Sequence, residues 1–302
     1  MPRATTLLAA AALTLAGTAG GLAAMSPYAA ASSSTTVTIG AENFPEDVIV
    51  ADIYADVLQH AGYKTSLKES NGRPEIIKAV AAGQVDLEPD YAGSLLVYLK
   101  PGDTTKATQI STDLPALKTA LAADKATVLN PSTALDTNIF VVTKATATKY
   151  HLTTLSSLKA VAPKLVFGAP AECTTYYYCL PGLQKVYGLK FKSFQSTDEA
   201  GPVAVGDLKS GRVQVVELFS SNGDLLQNPS FVALTDNKHL EPADYVIPVI
   251  RTAFDKPGIS GPINAVSKKL TTPQLEQLNI NYGKSHSYAQ VASNWVKSEG
   301  LG

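Results

Sequence analysis

The segment that decides the fold reads AVAAGQVDLEPDYAGSL, residues 79–95, and it has a counterpart in GDLKSGRVQVVELF, residues 206–219. Each predicts a helix, a capping glycine, a short strand, and an aromatic residue eight positions after that glycine. Those aromatic residues are Tyr91 and Phe219. If each copy belongs to its own open α/β lobe, both rings lie just beyond the carboxyl end of a strand, where such sheets bind ligands. Two core aromatic residues at coincidental spacing are the alternative.

Around these segments, short apolar strands alternate with amphipathic helices, which predicts an α/β fold. TVTIG (36–40) is typical of a buried strand. Asn43 and Glu46 have the spacing of a capping box, and the helix that they open is predicted to end at Gly62. The further elements predicted are a helix at 74–82 and strands at 84–88, 127–129, 138–143, 164–168, 213–217 and 245–251.

The beginning of the chain is an uncharged apolar run, residues 4–24, preceded by Arg3 and followed by Ala29, Ala30 and Ala31. This pattern predicts a secretion signal over residues 1–31 rather than a retained membrane span. We therefore expect an extracytoplasmic protein, secreted or associated with the cell surface. No cysteine stands near this segment to accept a lipid anchor.

The charge of the chain gives no sign of nucleic-acid binding. Removing Arg3 with the signal leaves 24 basic against 26 acidic side chains, a net charge of 24 − 26 = −2. A nucleic-acid-binding surface needs a concentration of basic residues.

The sequence has only two cysteines, Cys173 and Cys179, in AECTTYYYCLPG. In an exported chain they predict a disulfide that closes a small loop. A metal site is the alternative, but the four histidines are scattered without metal-ligand spacing, so we expect no metal. The chain also lacks G-x-S-x-G, a P-loop and a dinucleotide-binding glycine motif, so we expect no cofactor and no enzyme activity.

Three segments resemble the substrate-binding proteins of the glycine betaine/choline/carnitine (osmoprotectant) ABC importers. AENFPEDVIVADIYADVLQHAGY (41–63) is similar to the family's opening segment, which has K-N-F-T-E-Q before an amphipathic helix. Residues 79–95 resemble its A-L-x-x-G-x-I-D-x-x-P-E-Y-T-G-T signature. LTDNKHLEPADYVIPVIR (234–251) is similar to its D-D-K-x-x-x-P-x-Y-x-x-x-P-V-x-R segment. The disulfide loop resembles actinobacterial versions.

The resemblance implies a two-lobed periplasmic-binding-protein fold of type II, with two hinge crossings and a ligand cleft between the lobes. Lobe one is expected at 36–139 plus 246–302, and lobe two at 140–245. The implied function is that of an extracytoplasmic binding protein that passes a solute to ABC permease subunits. We expect a monomer that meets the membrane only through the permease.

A quaternary ammonium has no N–H to donate and is recognised by aromatic faces. The resemblance implies such a cage from Tyr91, Tyr245 and Phe219. A fourth family tyrosine falls in DTNIFVVTK, where Phe140 or Ile139 stands.

Polar candidates accompany the predicted cage. Asp47 stands where the family has Gln; if its side chain reaches the cleft it would repel a carboxylate and favour choline-like cations over zwitterions. Arg73 could bind an anionic group or lie on the surface. The other predicted ligand contacts are Asn43, Phe44, Ser94 and Asn138.

The remaining aromatic residues are assigned to packing. Tyr176, Tyr177 and Tyr178 are consecutive and cannot all point one way, so the loop is expected to display them on the surface of lobe two. Trp295 is expected to anchor a core. The alternative function is the same fold with an aromatic or polyphenolic ligand, or a sensor.

Overall fold

A computed structural model describes residues 35–100, 109–198 and 200–302 of the chain. The predicted secretion signal, residues 1–31, lies outside these residues. Across the described ranges, no helix combines the length and the apolar character needed to cross a bilayer.

The strands follow one another along the chain in two groups, interrupted by helices. They are β1 (Thr36–Glu42), β2 (Lys64–Ser70), β3 (Leu87–Tyr91), β4 (Ala126–Val128), β5 (Asn138–Thr143), β6 (Val166–Ala169), β7 (Ser193–Ser196), β8 (Val215–Phe219), β9 (Phe231–Leu234) and β10 (Val246–Arg251).

The helices fall between these strands and after the last of them. They are α1 (Pro45–His60), α2 (Arg73–Ala81), α3 (Ala92–Leu99), α4 (Ile110–Leu121), α5 (Lys144–Tyr150), α6 (Leu180–Gly182), α7 (Pro202–Ser210), α8 (Asp224–Gln227), α9 (Pro257–Lys269), α10 (Thr272–Ser285) and α11 (Tyr288–Ser298).

Two mixed sheets organise the molecule, with the orders β2-β1-β3-β10-β4 and β7-β6-β8-β5-β9. The sheets have the same plan: three parallel strands, then a strand that runs antiparallel to both of its neighbours. In each sheet, that antiparallel strand is the one that follows a crossing from the other sheet. The predicted α/β fold with two hinge crossings is therefore confirmed.

Buried apolar clusters lie on both faces of each sheet. In the first sheet, α1, α9, α10 and α11 cover one face and α2, α3 and α4 the other. Trp295 packs into the first of these clusters and is 8 % exposed, so the prediction that it anchors a core is confirmed. The second sheet is likewise covered on both faces.

The boundaries of several elements differ from those predicted. Strand 138–143 is found where it was expected, whereas β3 begins at Leu87 instead of 84. Before β3, the Asp86 carboxylate accepts a hydrogen bond from the Thr38 amide at 2.9 Å, in place of a strand carbonyl. Both β3 and β8 end later than predicted, so Tyr91 and Phe219 are the last residues of their strands instead of lying just beyond them.

The capping box predicted at Asn43 and Glu46 is wrong. Helix α1 begins after Phe44, which has extended backbone and no side-chain capping bond, and Pro45 occupies the first helical position. The Glu46 side chain instead accepts hydrogen bonds from Tyr91 and Asn279, so it is drawn away from the backbone that it would have capped.

The crossings run between β4 and β5 and between β9 and β10, and they pair with each other. Leu135 and Tyr245 form an antiparallel bridge. The Asp136 amide donates to the Asp244 carbonyl at 2.9 Å, and the Val246 amide to the Ala134 carbonyl at 3.0 Å. The hinge is thus a short two-stranded ladder. The lobe boundaries predicted from the sequence remain a proposal.

Candidate functional site

A cavity of about 890 Å³, here called the interlobe cavity, lies between the first sheet's helices and the second lobe. One wall comes from the start of α1 and the end of α10, and the other from the segments after β8 and before α7. Residues that the argument uses are Phe44, Glu46, Asp136, Phe219, Ser221 and Asn279.

A smaller cavity of about 200 Å³, here called the side cavity, adjoins it. Phe219 and Ala200 line both, so the two cavities share a wall. The side cavity is also lined by Asn138, Glu217 and Tyr176. Tyr176 is 49 % exposed and its ring lies 5.6 Å from that of Tyr178, whereas Tyr178 is buried. The loop therefore presents one of its three tyrosines to the cleft.

Phe219 lies at the junction because of its strand position. It is directly opposite Asn138 in the antiparallel pair of β8 with β5. Opposite residues in such a pair share a face of the sheet, so an amide stands beside the ring. Asn138 donates from Nδ2 to the Tyr178 carbonyl at 3.3 Å and to Glu241 Oε2 at 3.2 Å. Its side chain is therefore fixed by lobe-two groups.

Tyr91 supports the opposite wall from behind. Its side chain is 6 % exposed, in the cluster under α1, and its ring centroid is 6.0 Å from that of Phe44. Its hydroxyl donates to Glu46 Oε1 at 3.0 Å. Tyr91 thus positions two residues of the cavity wall, Phe44 and Glu46, and is not itself part of the lining.

Glu46 is the centre of a network that joins the lobes. Asn279 donates from Nδ2 to Glu46 Oε2 at 2.8 Å and to the Ser221 carbonyl at 3.1 Å. The Ser221 hydroxyl donates to Asp136 Oδ1 at 2.6 Å. Burial raises the pKa of Glu46, against the effect of its hydrogen bonds, and burial together with the nearby Glu46 charge raises the pKa of Asp136 well above its usual range. Glu46 and Asp136 thus place two buried or half-buried acidic groups on the lining of one cavity, which also includes Asp224.

Phe140 was predicted in the aromatic cage but does not line the interlobe cavity. It is 1 % exposed and packs against Phe167, with ring centroids 5.9 Å apart, in the core of lobe two. It shares a face of β5 with Asn138 but lies two residue pairs further from the cleft. Ile139, the other residue considered, points to the opposite face of that strand, so Asn138 occupies the position beside Phe219.

Tyr245 also lies away from the interlobe cavity. It pairs with Leu135, and the two line a separate cavity of about 620 Å³ together with Thr137 and Gln109. Because side chains alternate along a strand, Asp136 faces the interlobe cavity while its neighbours Leu135 and Thr137 face the separate one. The structure therefore does not bring Tyr245 together with Phe44 and Phe219.

Asp47 does not reach the cleft. Its side chain is 1 % exposed, and Oδ2 accepts a hydrogen bond from the Glu42 amide at 2.6 Å. Burial raises the pKa of this carboxyl well above its usual range. The argument that Asp47 repels a ligand carboxylate loses its basis, because the group faces the interior.

Arg73 and Ser94 are engaged with protein carboxylates. Arg73 binds Asp90 through Nε at 2.9 Å and Nη2 at 2.8 Å. Ser94 donates to Asp244 from its amide at 2.6 Å and from its hydroxyl at 2.8 Å. Burial raises the pKa of Asp244 to about 6, although the bonds from Ser94 act in the opposite direction. Asn43 is exposed, and its amide donates to the Ser70 carbonyl at 2.8 Å.

The residues that sequence reasoning missed are Asp136, Asn279 and Ser221, and Glu46 was assigned to the wrong role. No short motif contains these four residues, because they come from four separate segments of the sequence that only the fold brings together. The loop between the two cysteines was a signal for Tyr176, but no local pattern distinguishes it from the adjacent Tyr177 and Tyr178.

The cysteines are joined in the structure, with a Cα–Cα distance of 5.1 Å between Cys173 and Cys179. Among the described residues, the one group with metal-binding composition is these two cysteines with Glu217. Sulfur atoms committed to a disulfide are not thiolate ligands. We therefore assign Cys173 and Cys179 as a disulfide cross-link beside the side cavity, not as metal ligands.

Comparisons with known proteins agree on one family. A family profile described as the substrate binding domain of ABC-type glycine betaine transport system matches residues 35–298. The chain is 24 % identical over 280 residues to the glycine betaine-binding protein YehZ of Escherichia coli K12, covering 89 % of this chain and 92 % of that protein. It is 25 % identical over 286 residues to the carnitine transport binding protein OpuCC of Listeria monocytogenes, covering 90 % and 89 %.

Solved structures show the same fold. A crystal structure described as a glycine betaine/carnitine/choline ABC transporter matches with a TM-score of 0.77 at 24 % identity, covering 88 % of this chain and 99 % of that one. Apo YehZ matches with a TM-score of 0.72 at 22 % identity, covering 89 % and 100 %. The predicted two-lobed fold of the type II periplasmic-binding proteins is confirmed.

Proposed function

Because the chain belongs to the family of substrate-binding domains of ABC-type glycine betaine transport systems, we propose that it captures a quaternary-ammonium solute of the choline or glycine betaine type outside the cytoplasmic membrane. It then hands the solute to the permease subunits of an importer. The predicted secretion signal and the Cys173–Cys179 pair support an extracytoplasmic location, since disulfides persist in oxidising compartments.

The observation that carries this proposal is the pair of aromatic rings on opposite walls of the interlobe cavity. Phe44 comes from the start of α1 and Phe219 from the end of β8. A methylated ammonium gains about 0.5–2 kcal/mol from each aromatic face that it meets, more as water is expelled. The lining therefore matches a cation that cannot donate hydrogen bonds.

The same geometry provides the mechanism of capture. A solute that touches rings from both lobes binds more tightly to a closed arrangement than to an open one, so it shifts the population toward closure. The paired crossing strands supply the hinge on which the lobes turn. A permease that recognises the closed outline then receives loaded protein in preference to empty protein.

Calorimetric titration of the purified protein with choline, glycine betaine and carnitine tests the proposal. We expect binding of at least one of them, weakened about ten-fold by Phe219→Ala, the size of one lost cation–π contact and its burial. Tyr98→Ala, which removes an aromatic side chain that is 38 % exposed on α3, is the matched control and is expected to bind like the wild type. Binding of phenolic compounds without any quaternary amine would overturn the ligand assignment.

A further inference from the structure

The interlobe cavity has a pronounced excess of acidic groups near its aromatic walls. Glu46 is 5 % exposed at the start of α1, and Asp136 is partly buried on the first crossing strand. Both line the cavity. The charge of Glu46 raises the pKa of Asp136, whereas a hydrogen bond with Asp136 acts to lower the pKa of Glu46. The two carboxyl groups come from different segments, so they surround the space from two sides.

Ser221, Asn279 and Asn222 line the cavity, and their side-chain donors are already engaged. The Ser221 hydroxyl donates to Asp136, and Asn279 donates to Glu46 and to the Ser221 carbonyl. Asn222 donates from Nδ2 to the Ala200 carbonyl at 2.6 Å. A ligand carboxylate placed here would have to displace one of these bonds.

Cationic side chains do not compensate for the acids. Within the described residues, Lys284 is the cation that lines the interlobe cavity, and it is exposed to solvent. Arg73 holds Asp90 at 2.8 Å, lies 3.7 Å from Glu42, and is not part of the lining. A cation without an anionic group therefore fits this cavity, whereas a zwitterion brings its negative end toward uncompensated carboxyl groups.

From this balance of charges and donors we propose that the cavity selects choline-like solutes, which carry a net positive charge, over zwitterions such as glycine betaine, and that Glu46 and Asp136 determine this choice. The inference rests on the proposed function and narrows it to one class of solute. It assigns to these two residues the selection against zwitterions that Asp47, buried in the interior, cannot make.

Charge neutralisation explains the selection. The charge of Glu46 disfavours the ionisation of Asp136, and a cation placed beside the two groups favours the ionised form of both. Burial raises the pKa values of Glu46 and Asp136 in the empty protein. Choline affinity is therefore expected to increase as the pH rises and both groups ionise, while the aromatic contacts are unaffected by pH.

The test compares choline, glycine betaine and 3,3-dimethyl-1-butanol, which has the shape of choline without its charge. For the wild type we expect choline to bind at least about ten-fold more tightly than glycine betaine, and the neutral alcohol to bind more weakly still. Glu46→Gln and Asp136→Asn are each expected to weaken choline binding about ten-fold while changing the affinity for glycine betaine less than about three-fold. The ratio of the two affinities is the decisive quantity.

Two controls separate charge from folding. Glu276→Gln removes another buried acid on α10, outside the cavity lining, and is expected to leave the ratio unchanged. Asp136→Asn retains an oxygen that can accept from Ser221, so it provides a conservative second variant if Glu46→Gln fails to fold.

The outcomes distinguish the inference from the function on which it rests. Glycine betaine binding as tightly as choline in the wild type overturns the inference and leaves the proposed function standing. An unchanged ratio in both acid variants does the same. Failure of every quaternary amine to bind the wild type overturns the proposed function itself.

Discussion

Tyr91 and Phe219 end corresponding strands of the two lobes, yet they serve the cleft differently. Tyr91 is 6 % exposed and acts through its hydroxyl on Glu46, whereas Phe219 lines both cavities. A buried hydroxyl needs a hydrogen-bond partner, and Tyr91 finds one in a buried acid; a phenyl ring has no polar atom to satisfy. The difference teaches that equivalent positions in a repeat can provide a support on one side and a contact surface on the other.

The serines that follow these two residues extend the comparison. Ser94 holds Asp244 of the second crossing strand, and Ser221 holds Asp136 of the first. Each lobe thus holds a carboxylate of the crossing strand that arrives in it. The two lobes are thus alike in this serine–carboxylate contact, whereas the roles of their aromatic residues differ.

The largest expected effect is a difference in stability between removing the buried Tyr91 side chain and removing the Phe219 ring from the cavity wall. Tyr91→Ala removes a buried aromatic side chain and is expected to lower the free energy of unfolding by about 3–5 kcal/mol. Phe219→Ala, at a half-buried position, is expected to cost about 1 kcal/mol of stability, since less of the ring leaves a packed environment. Urea unfolding of both variants checks this, and equal losses would show that the two rings are equally structural.

The second effect concerns pH and Asp244. Its pKa is raised to about 6 from 3.8, so the folded state holds this proton more tightly than the unfolded state does. The unfolded state therefore binds fewer protons in this window, and the free energy of unfolding falls as pH rises, by about 2 kcal/mol between about pH 4 and 6.5 from this group.

Two substitutions check the pH effect by urea unfolding at several pH values. Asp244→Asn is expected to flatten the decline. Ser94→Ala should steepen it, because it removes a bond that favours the ionised form. A decline that is identical in the wild type and in Asp244→Asn would contradict the assignment to this group.

The third effect tests the covalent support on the Phe219 side. Replacing Cys173 and Cys179 together by serine opens a short loop and is expected to cost about 2 kcal/mol of stability. Since that loop carries Tyr176 beside the side cavity, ligand affinity should fall as well. Thermal unfolding and calorimetry of the double variant measure both, with reduced wild type as the control; retention of full affinity would show that Tyr176 makes no contribution.

The smallest effect comes from exchanging the two ring types. Tyr91→Phe removes the donor to Glu46 and is expected to destabilise the protein by about 1 kcal/mol. Phe219→Tyr adds a hydroxyl at a half-buried cavity wall and is expected to change stability by less than about 0.5 kcal/mol. Similar losses in the two variants, measured by urea unfolding, would remove the distinction drawn from burial.

Local patterns predicted the α/β fold class and the placement of two aromatic residues close to strand ends. Gly83 and Gly211 both adopt positive φ, 73° and 76°, as expected of residues that end a helix. The spacing of eight residues from each glycine to its aromatic residue places Tyr91 and Phe219 at strand ends. Strand β5 was predicted with its observed bounds. These features depend on neighbours in sequence, which a single chain displays directly.

The polar part of the candidate site could not be predicted in the same way. Glu46 had the spacing of a helix cap, but its tertiary partners, Tyr91 and Asn279, are far away in sequence. Tyr245 was expected in the cage, yet the register of the hinge ladder turns its side chain toward Leu135. A shift of one residue on a strand reverses the face, and no local motif fixes the register of two distant segments.

The position of β10 also bears on how the chain is made. Residues 246–251 lie between β3 and β4, which precede them by more than a hundred residues, so the first sheet lacks an inner strand until most of the polypeptide has emerged. The strands of the second sheet, β5 to β9, are consecutive. As the chain emerges, we expect the second sheet to form first, while the early strands of the first sheet keep unpaired edges that favour aggregation and call for chaperone protection.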